Sequence, residues 1–183
     1  MTIMIIGLVI FFTIHMFPGS TLKQRIVSKA GEGGYKGLFT VISIIGFVMI
    51  VYGKGNSELW TVWIPPYWTR HVTMLAMLIA FILLAIAHVP NNFRRKIRHP
   101  MLCATGLWGA SHFLANGDAA SMILSSSFVV FALVKIRSIN SRSEFVEKEP
   151  VALKWNFVVL GSGVVAYLSV LFAHDYIAGI PLV

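Results

Sequence analysis

Charge is what this chain has least of. Only 12% of its 183 residues are charged against 57% hydrophobic, and the mean hydropathy is +0.78. A soluble domain carries about 25% charged residues, because water must wet its surface. A water-exposed globule of this composition would have too few charges to cover it. Acidic residues are scarcest: Glu32, Glu58, Asp118, Glu144, Glu147, Glu149 and Asp175 are all there are, and none falls mid-span in an apolar run. That argues against a carboxylate proton relay in a membrane and against a carboxylate-bridged dimetal site. The single cysteine, Cys103, excludes an intramolecular disulfide and any CxxC site. Lying in an apolar run, it reads as a buried, inert thiol. The glycines from Gly31 to Gly37 follow no strand and make a poor phosphate cradle. No Ser-His-Asp arrangement can be argued.

What the chain does have is long uncharged runs of Ile, Leu, Val, Phe, Met and Ala. Crossing hydrocarbon takes about 20 such residues as a helix, and a lone span must be helical to satisfy its own backbone polar groups. The runs predict an all-α integral membrane protein, a single-domain bundle of about six transmembrane helices. The expected spans are 1–17, 35–52, 68–88, 100–116, 119–136 and 155–173. Pro18-Gly19 closes the first, and Gly31, Gly33 and Gly34 turn the chain before the second. Val89-Pro90 ends the third, Pro100 suits the first turn of the fourth, and Asp118 can cap the fifth. The first span has no basic stretch before it and no small-x-small cleavage site, so it is expected to stay as a helix rather than leave as a signal peptide.

The formal charge of +8 does not point to nucleic acid, because the basic residues sit in short loops between apolar runs. One side collects Lys23, Arg25, Lys29, Lys36, Arg94, Arg95, Lys96, Arg98, Lys135, Arg137, Arg142, Lys148 and Lys154; the other has only Lys54 and Arg70. Positive loops stay inside, so both termini are expected outside. Trp60, Trp63, Tyr67 and Trp68, with Pro65-Pro66, read as an aromatic belt at the headgroups rather than a ligand cage. The expected partner is the lipid bilayer.

In so apolar a chain the ionisable side chains near the bilayer carry the information, since each is costly to place there. His71 and His174 fall at span ends beside Arg70 and Asp175 and read as interfacial. His15, His88 and His99 fall near the basic ends of their spans. They could meet at a metal, an iron porphyrin or a proton relay, or they could each anchor a helix end. His112 lies well inside the fourth span, with Trp108 four residues before and Asn116 four after, all on one face. Asn116 could be its structural partner. Otherwise such a histidine must ligate something or line a wet cavity.

The string Arg98-His99-Pro100-Met101-Leu102, Gly106-Leu107-Trp108, His112 and Ala115-Asn116-Gly117-Asp118 resembles the signature of the NnrU family. His15 and the Gly-Glu-Gly-x-Tyr-Lys-Gly-Leu run at 31–38 agree with it. The resemblance covers nearly the whole chain. It implies a bacterial inner-membrane protein linked to nitrogen-oxide and denitrification metabolism, with redox or denitrification membrane partners and no nucleic acid. The family is also similar to the zeta-carotene isomerase, a membrane enzyme with haem b. That similarity implies haem b held by His15 and His112. His88, His99 and Arg98 would then support it or pair with the propionates, since arginine suits carboxylates, with Trp108 and Asn116 beside His112 on its face of the helix. The isomerase carries a redox-active cysteine three residues before the second histidine, where this chain has Gly109. Arg98-His99-Pro100 is similar, too, to the entry motif of membrane methyltransferases that bind S-adenosylmethionine. The resulting expectation is a haem-binding inner-membrane factor. Its rivals are a membrane-embedded isomerase or methyltransferase on a lipid-soluble substrate, and a non-enzymatic assembly or transport factor. Helix rise sets His15 and His112 about 15 Å apart in depth, a spacing that opposes the pair the resemblance implies.

Overall fold

The computed structural model describes residues 1–19 and 21–182. Among the described residues there are six α-helices and no strand: α1 (Thr2–Met16), α2 (Thr21–Gly55), α3 (Trp68–His88), α4 (Pro100–Ala115), α5 (Ala119–Asn140) and α6 (Lys154–Ala178). Two 3-10 turns, Phe17–Gly19 and Asn92–Arg95, interrupt the connections. The all-helical expectation holds. Four helices, α2, α3, α5 and α6, are long and apolar enough to cross a membrane. The helices α1 and α4 have 15 and 16 residues. At 1.5 Å per residue they reach about 23 Å, short of a hydrocarbon core of about 30 Å.

The second helix differs from its expected bounds. It begins at Thr21, and the turn expected over Gly31 to Gly34 is condensed into Gly31, whose φ of 72° breaks the helix for one residue. The basic segment before it, with Lys23, Arg25 and Lys29, is therefore a helical arm and not a loop. A glycine costs a helix about 1 kcal/mol relative to alanine without forbidding it, so Gly33, Gly34 and Gly37 stay helical.

The helices pack in the order α2, α1, α5, α4, α3, α6, an open row in which α2 and α6 form the two flanks. Small residues draw them together, as expected where lipid gives no hydrophobic drive for association. A Cβ on Gly7 would come within 2.8 Å of Gly46 O and Ile50 N, so α1 and α2 touch backbone to backbone. Met4, Leu8, Ile50 and Ala120 form the buried core, ringed by Phe11, Phe12, Leu124 and Phe128. Val41, Ile44, Phe47 and Val51 on α2, and Phe157, Val165 and Phe172 on α6, are more than half exposed. Apolar surface of that extent facing outward fits lipid. Cys103 is exposed, contrary to its reading as a buried thiol. It shares with Ala110 a face of α4 that neither α3 nor α5 covers, because α4 offers Ser111 to the first and Gly109 to the second.

Candidate functional site

The two histidines singled out by resemblance, His15 on α1 and His112 on α4, share one local construction. Nδ1 of His15 lies 2.6 Å from the carbonyl oxygen of Phe11, and Nδ1 of His112 lies 2.9 Å from that of Trp108. A carbonyl only accepts, so each Nδ1 carries the hydrogen and each Nε2 is left with its lone pair while the ring is neutral. Each ring also lies against the aromatic side chain of that same residue. The centroids are 4.2 Å apart for Phe11 and His15, and 4.6 Å for Trp108 and His112. Helical geometry produces both contacts at once, since residues four apart share a face.

Phe128 of α5 joins the two halves. Its ring meets Phe11 at 6.3 Å, Phe12 at 5.0 Å and Trp108 at 5.0 Å. An unbroken aromatic series thus runs from His15 through Phe11, Phe128 and Trp108 to His112. His15 also meets the ring edges of Phe39 on α2 at 5.0 Å and Phe131 on α5 at 6.2 Å. Its carbonyl accepts a 2.6 Å hydrogen bond from Lys135. His15 is thus level with Phe131 of α5, whereas the approach of Gly109 to Ser125 sets His112 some two turns nearer the start of that helix. At 1.5 Å per residue the two imidazoles stand about 12 Å apart along the bundle.

Asn116 serves the backbone and not the imidazole. Its side-chain amide donates to His112 O at 2.8 Å, and its own carbonyl accepts from Trp63 Nε1 at 3.3 Å. The neighbouring Gly117 and Asp118 are a structural clip. Gly117 O accepts from the amides of Val62 and Trp63 at 2.7 and 3.2 Å, so a side chain at 117 would run into Trp63. Asp118 caps α5 as expected, accepting from Ser121 N at 2.9 Å, and pairs with Lys54 at 3.0 Å. Trp63 is held by this clip, while Trp60, Tyr67 and Trp68 are largely exposed, as a headgroup belt would be.

At the opposite end the three histidines do not converge. His88 and His99, with Arg94 and Arg98, line one groove of about 220 Å³ where α3 ends and α4 begins. His15 is elsewhere, on α1 across α5, beside a cleft of about 330 Å³ lined by Pro18, Tyr35, Lys36, Phe39 and Thr40. Among the described residues no three His, Cys, Asp or Glu side chains cluster as a metal would need. His71 meets the edge of Tyr67, and exposed His174 bonds the Ile180 carbonyl at 2.8 Å, in keeping with interfacial roles.

Sequence reasoning missed Phe11, Phe128, Tyr35, Lys135 and Arg94. One signal was available: an aromatic residue stands four before His15 just as Trp108 stands four before His112. Phe128 carried none, because only the helix order brings it between them.

An open row of apolar helices, with fixed histidines between its members and polar clips at its ends, defines a multi-pass helical membrane protein. The chain belongs to the NnrU family, whose model (NnrU protein) matches residues 3–182. No curated protein and no solved structure matches the chain.

Proposed function

We propose that the chain is an inner-membrane haem b protein serving nitrogen-oxide metabolism, with His15 as the axial ligand. The reading rests on the way each membrane histidine is fixed: Nδ1–H on a backbone carbonyl, ring against an aromatic, Nε2 free. A hydrogen bond from the second ring nitrogen is the usual companion of a metal-ligating imidazole.

His15 and His112 do not fit one iron together. A metal–imidazole bond is about 2 Å, so two axial nitrogens would lie about 4 Å apart. The imidazoles here are separated by three aromatic rings. A single histidine ligand avoids that conflict, and His15 is favoured for it. The 330 Å³ cleft borders its neighbour Phe39, and Lys36 on its wall offers a cation to a carboxylate. The Tyr35 hydroxyl at the same cleft is buried with no hydrogen-bond partner among the described residues. Bound haem would supply a one-electron couple and an open coordination position for a small nitrogen oxide. The chain's own part is to hold the His15 tautomer and to keep water away with Phe11, Phe39 and Phe131.

The same reading has all six helices crossing, the bilayer thinning to meet the short α1 and α4, with both termini outside and redox or denitrification proteins of the membrane as partners. A factor whose histidines merely knit helices together is disfavoured, because the ring hydrogen bonds of His15 and His112 stay within their own helices. The isomerase reading lacks its cysteine at Gly109.

The test is the absorbance spectrum of protein expressed with ample haem and purified in detergent. A Soret band that disappears in His15→Ala and persists in His112→Ala is expected. A band lost in both variants would restore the shared pair, and no band in the wild type would remove the haem reading altogether.

A further inference from the structure

The groove at the junction of α3 and α4 is independent of the haem reading. It is concave, about 220 Å³, and its lining carries two guanidiniums, of Arg94 and Arg98, with the imidazoles of His88 and His99 beside them. Two of these side chains are held in place by α5 and the chain just beyond it. Nη2 of Arg98 donates to the carbonyl and, at 3.1 Å, to the hydroxyl of Ser143, and Nε2 of His99 lies 2.8 Å from Asn140 Oδ1. The turn that presents Arg94 is fixed as well. Buried Asn91 donates to Ile86 O at 3.0 Å and accepts from Arg94 N at 3.1 Å. Asn92 bonds Val151 O at 2.9 Å and Asn156.

Within this hydrogen-bonded frame the Arg94 guanidinium has no partner among the described residues, in contrast to Arg95, which pairs with Glu147 at 2.6 Å. No acidic side chain lines the groove. The start of α4 adds to the same field, because it has neither a side-chain cap nor an acid in its first turn. The amides of Met101 and Leu102 are therefore left for an anion. Converging guanidiniums and helix amides match the oxygens of a phosphate.

We propose that this groove binds a phosphate group, with Arg94 and Arg98 as its principal contacts. Half-exposed Met101 beside it offers an apolar flank of the kind an acyl chain would cover, so an anionic phospholipid headgroup is the favoured source over a free phosphate. By the distribution of basic residues this is the cytoplasmic face, where anionic lipid attracts basic protein segments.

The experiment measures the melting temperature of the full-length protein in neutral detergent. Phosphatidylglycerol, phosphatidylcholine or inorganic phosphate is added to separate samples. Phosphatidylglycerol should raise the midpoint by about 3 °C or more, as ligand linkage predicts for a chain of this size, and phosphatidylcholine should not. Arg94→Gln should abolish the shift while leaving the lipid-free midpoint unchanged, since its guanidinium holds nothing in the fold. Lys29→Gln, on the distant helical arm, should keep the full shift. A shift given by inorganic phosphate alone would keep the site and overturn the lipid as its source. No shift with either ligand, or an equal loss in Lys29→Gln, would overturn the site, the latter by showing diffuse surface attraction.

Discussion

Lys54 at the end of α2 and Asp118 at the start of α5 lie 64 residues apart in sequence, and Nζ and Oδ1 are 3.0 Å apart in space. Together they fasten the flank of the row to its middle. Burial raises the Asp118 carboxyl, but hydrogen bonds from the Ser121 side chain and amide and from Lys54 outweigh it, and the net effect holds it below its ordinary value. A carboxylate depressed on folding contributes stability that is complete above the unfolded value of about 3.9 and lost as pH falls through the folded value beneath it. Melting in detergent should therefore weaken below about pH 4 in the wild type and respond less to acid in Asp118→Asn. At neutral pH Asp118→Ala should cost about 1–2 kcal/mol, mostly the lost helix cap, and Lys54→Met less than 1 kcal/mol, because the lysine is partly exposed.

Gly109 is a point of close approach between α4 and α5. A Cβ there would lie 2.6 Å from Ser125 O and 2.9 Å from a methyl of Val129. A cysteine at this place does not fit without separating the helices. Gly109→Cys should lower stability by about 1–3 kcal/mol, the usual cost of overpacking. A Gly109→Cys protein that melts with the wild type would contradict the packing described here.

The Tyr35 hydroxyl is buried with no partner among the described residues, so in ligand-free protein it contributes a desolvation cost and no bond. Tyr35→Phe should be neutral or stabilising by about 1 kcal/mol in the ligand-free state. A destabilisation of similar size would mean that the hydroxyl is satisfied in solution.

Both membrane histidines should appear in nitrogen-15 spectra as the Nδ1–H tautomer, since each Nδ1 faces a carbonyl. Detection of the Nε2–H tautomer at His15 or His112 would refute the fixation on which the proposed function depends. Phe128→Ala should disturb the signals of both rings, because Phe128 touches Phe11 on one side and Trp108 on the other.

Much of the framework was legible in the residues. Hydrophobic runs located α3 to the residue at both ends, and Pro100 and Asp118 marked the starts of α4 and α5. The helical arm before Gly31 was not legible, because a basic, glycine-flanked segment resembles a loop when only composition is read. Spacing within one helix did reveal that Trp108 and His112 share a face, and their rings do stack. It paired Asn116 with His112 but not with that residue's carbonyl, since sharing a face does not say whether a side chain reaches a ring or a carbonyl.

The sequence by itself determined that the chain is apolar, helical and asymmetrically charged, because these follow from composition and from the demand that lipid-exposed backbone bond to itself. It also set the intrahelical pairs of the two histidines, since residues four apart must meet. Only the tertiary structure decided which helices are neighbours. That decision placed α5, with Phe128, between His15 and His112, and sent His88 and His99 to a separate groove with Arg94. Helix order depends on close contacts such as Gly7 on Gly46 and Gly109 on Ser125, made by residues far apart in the chain. No local pattern specifies such contacts, and they decide how far apart the two histidines stand.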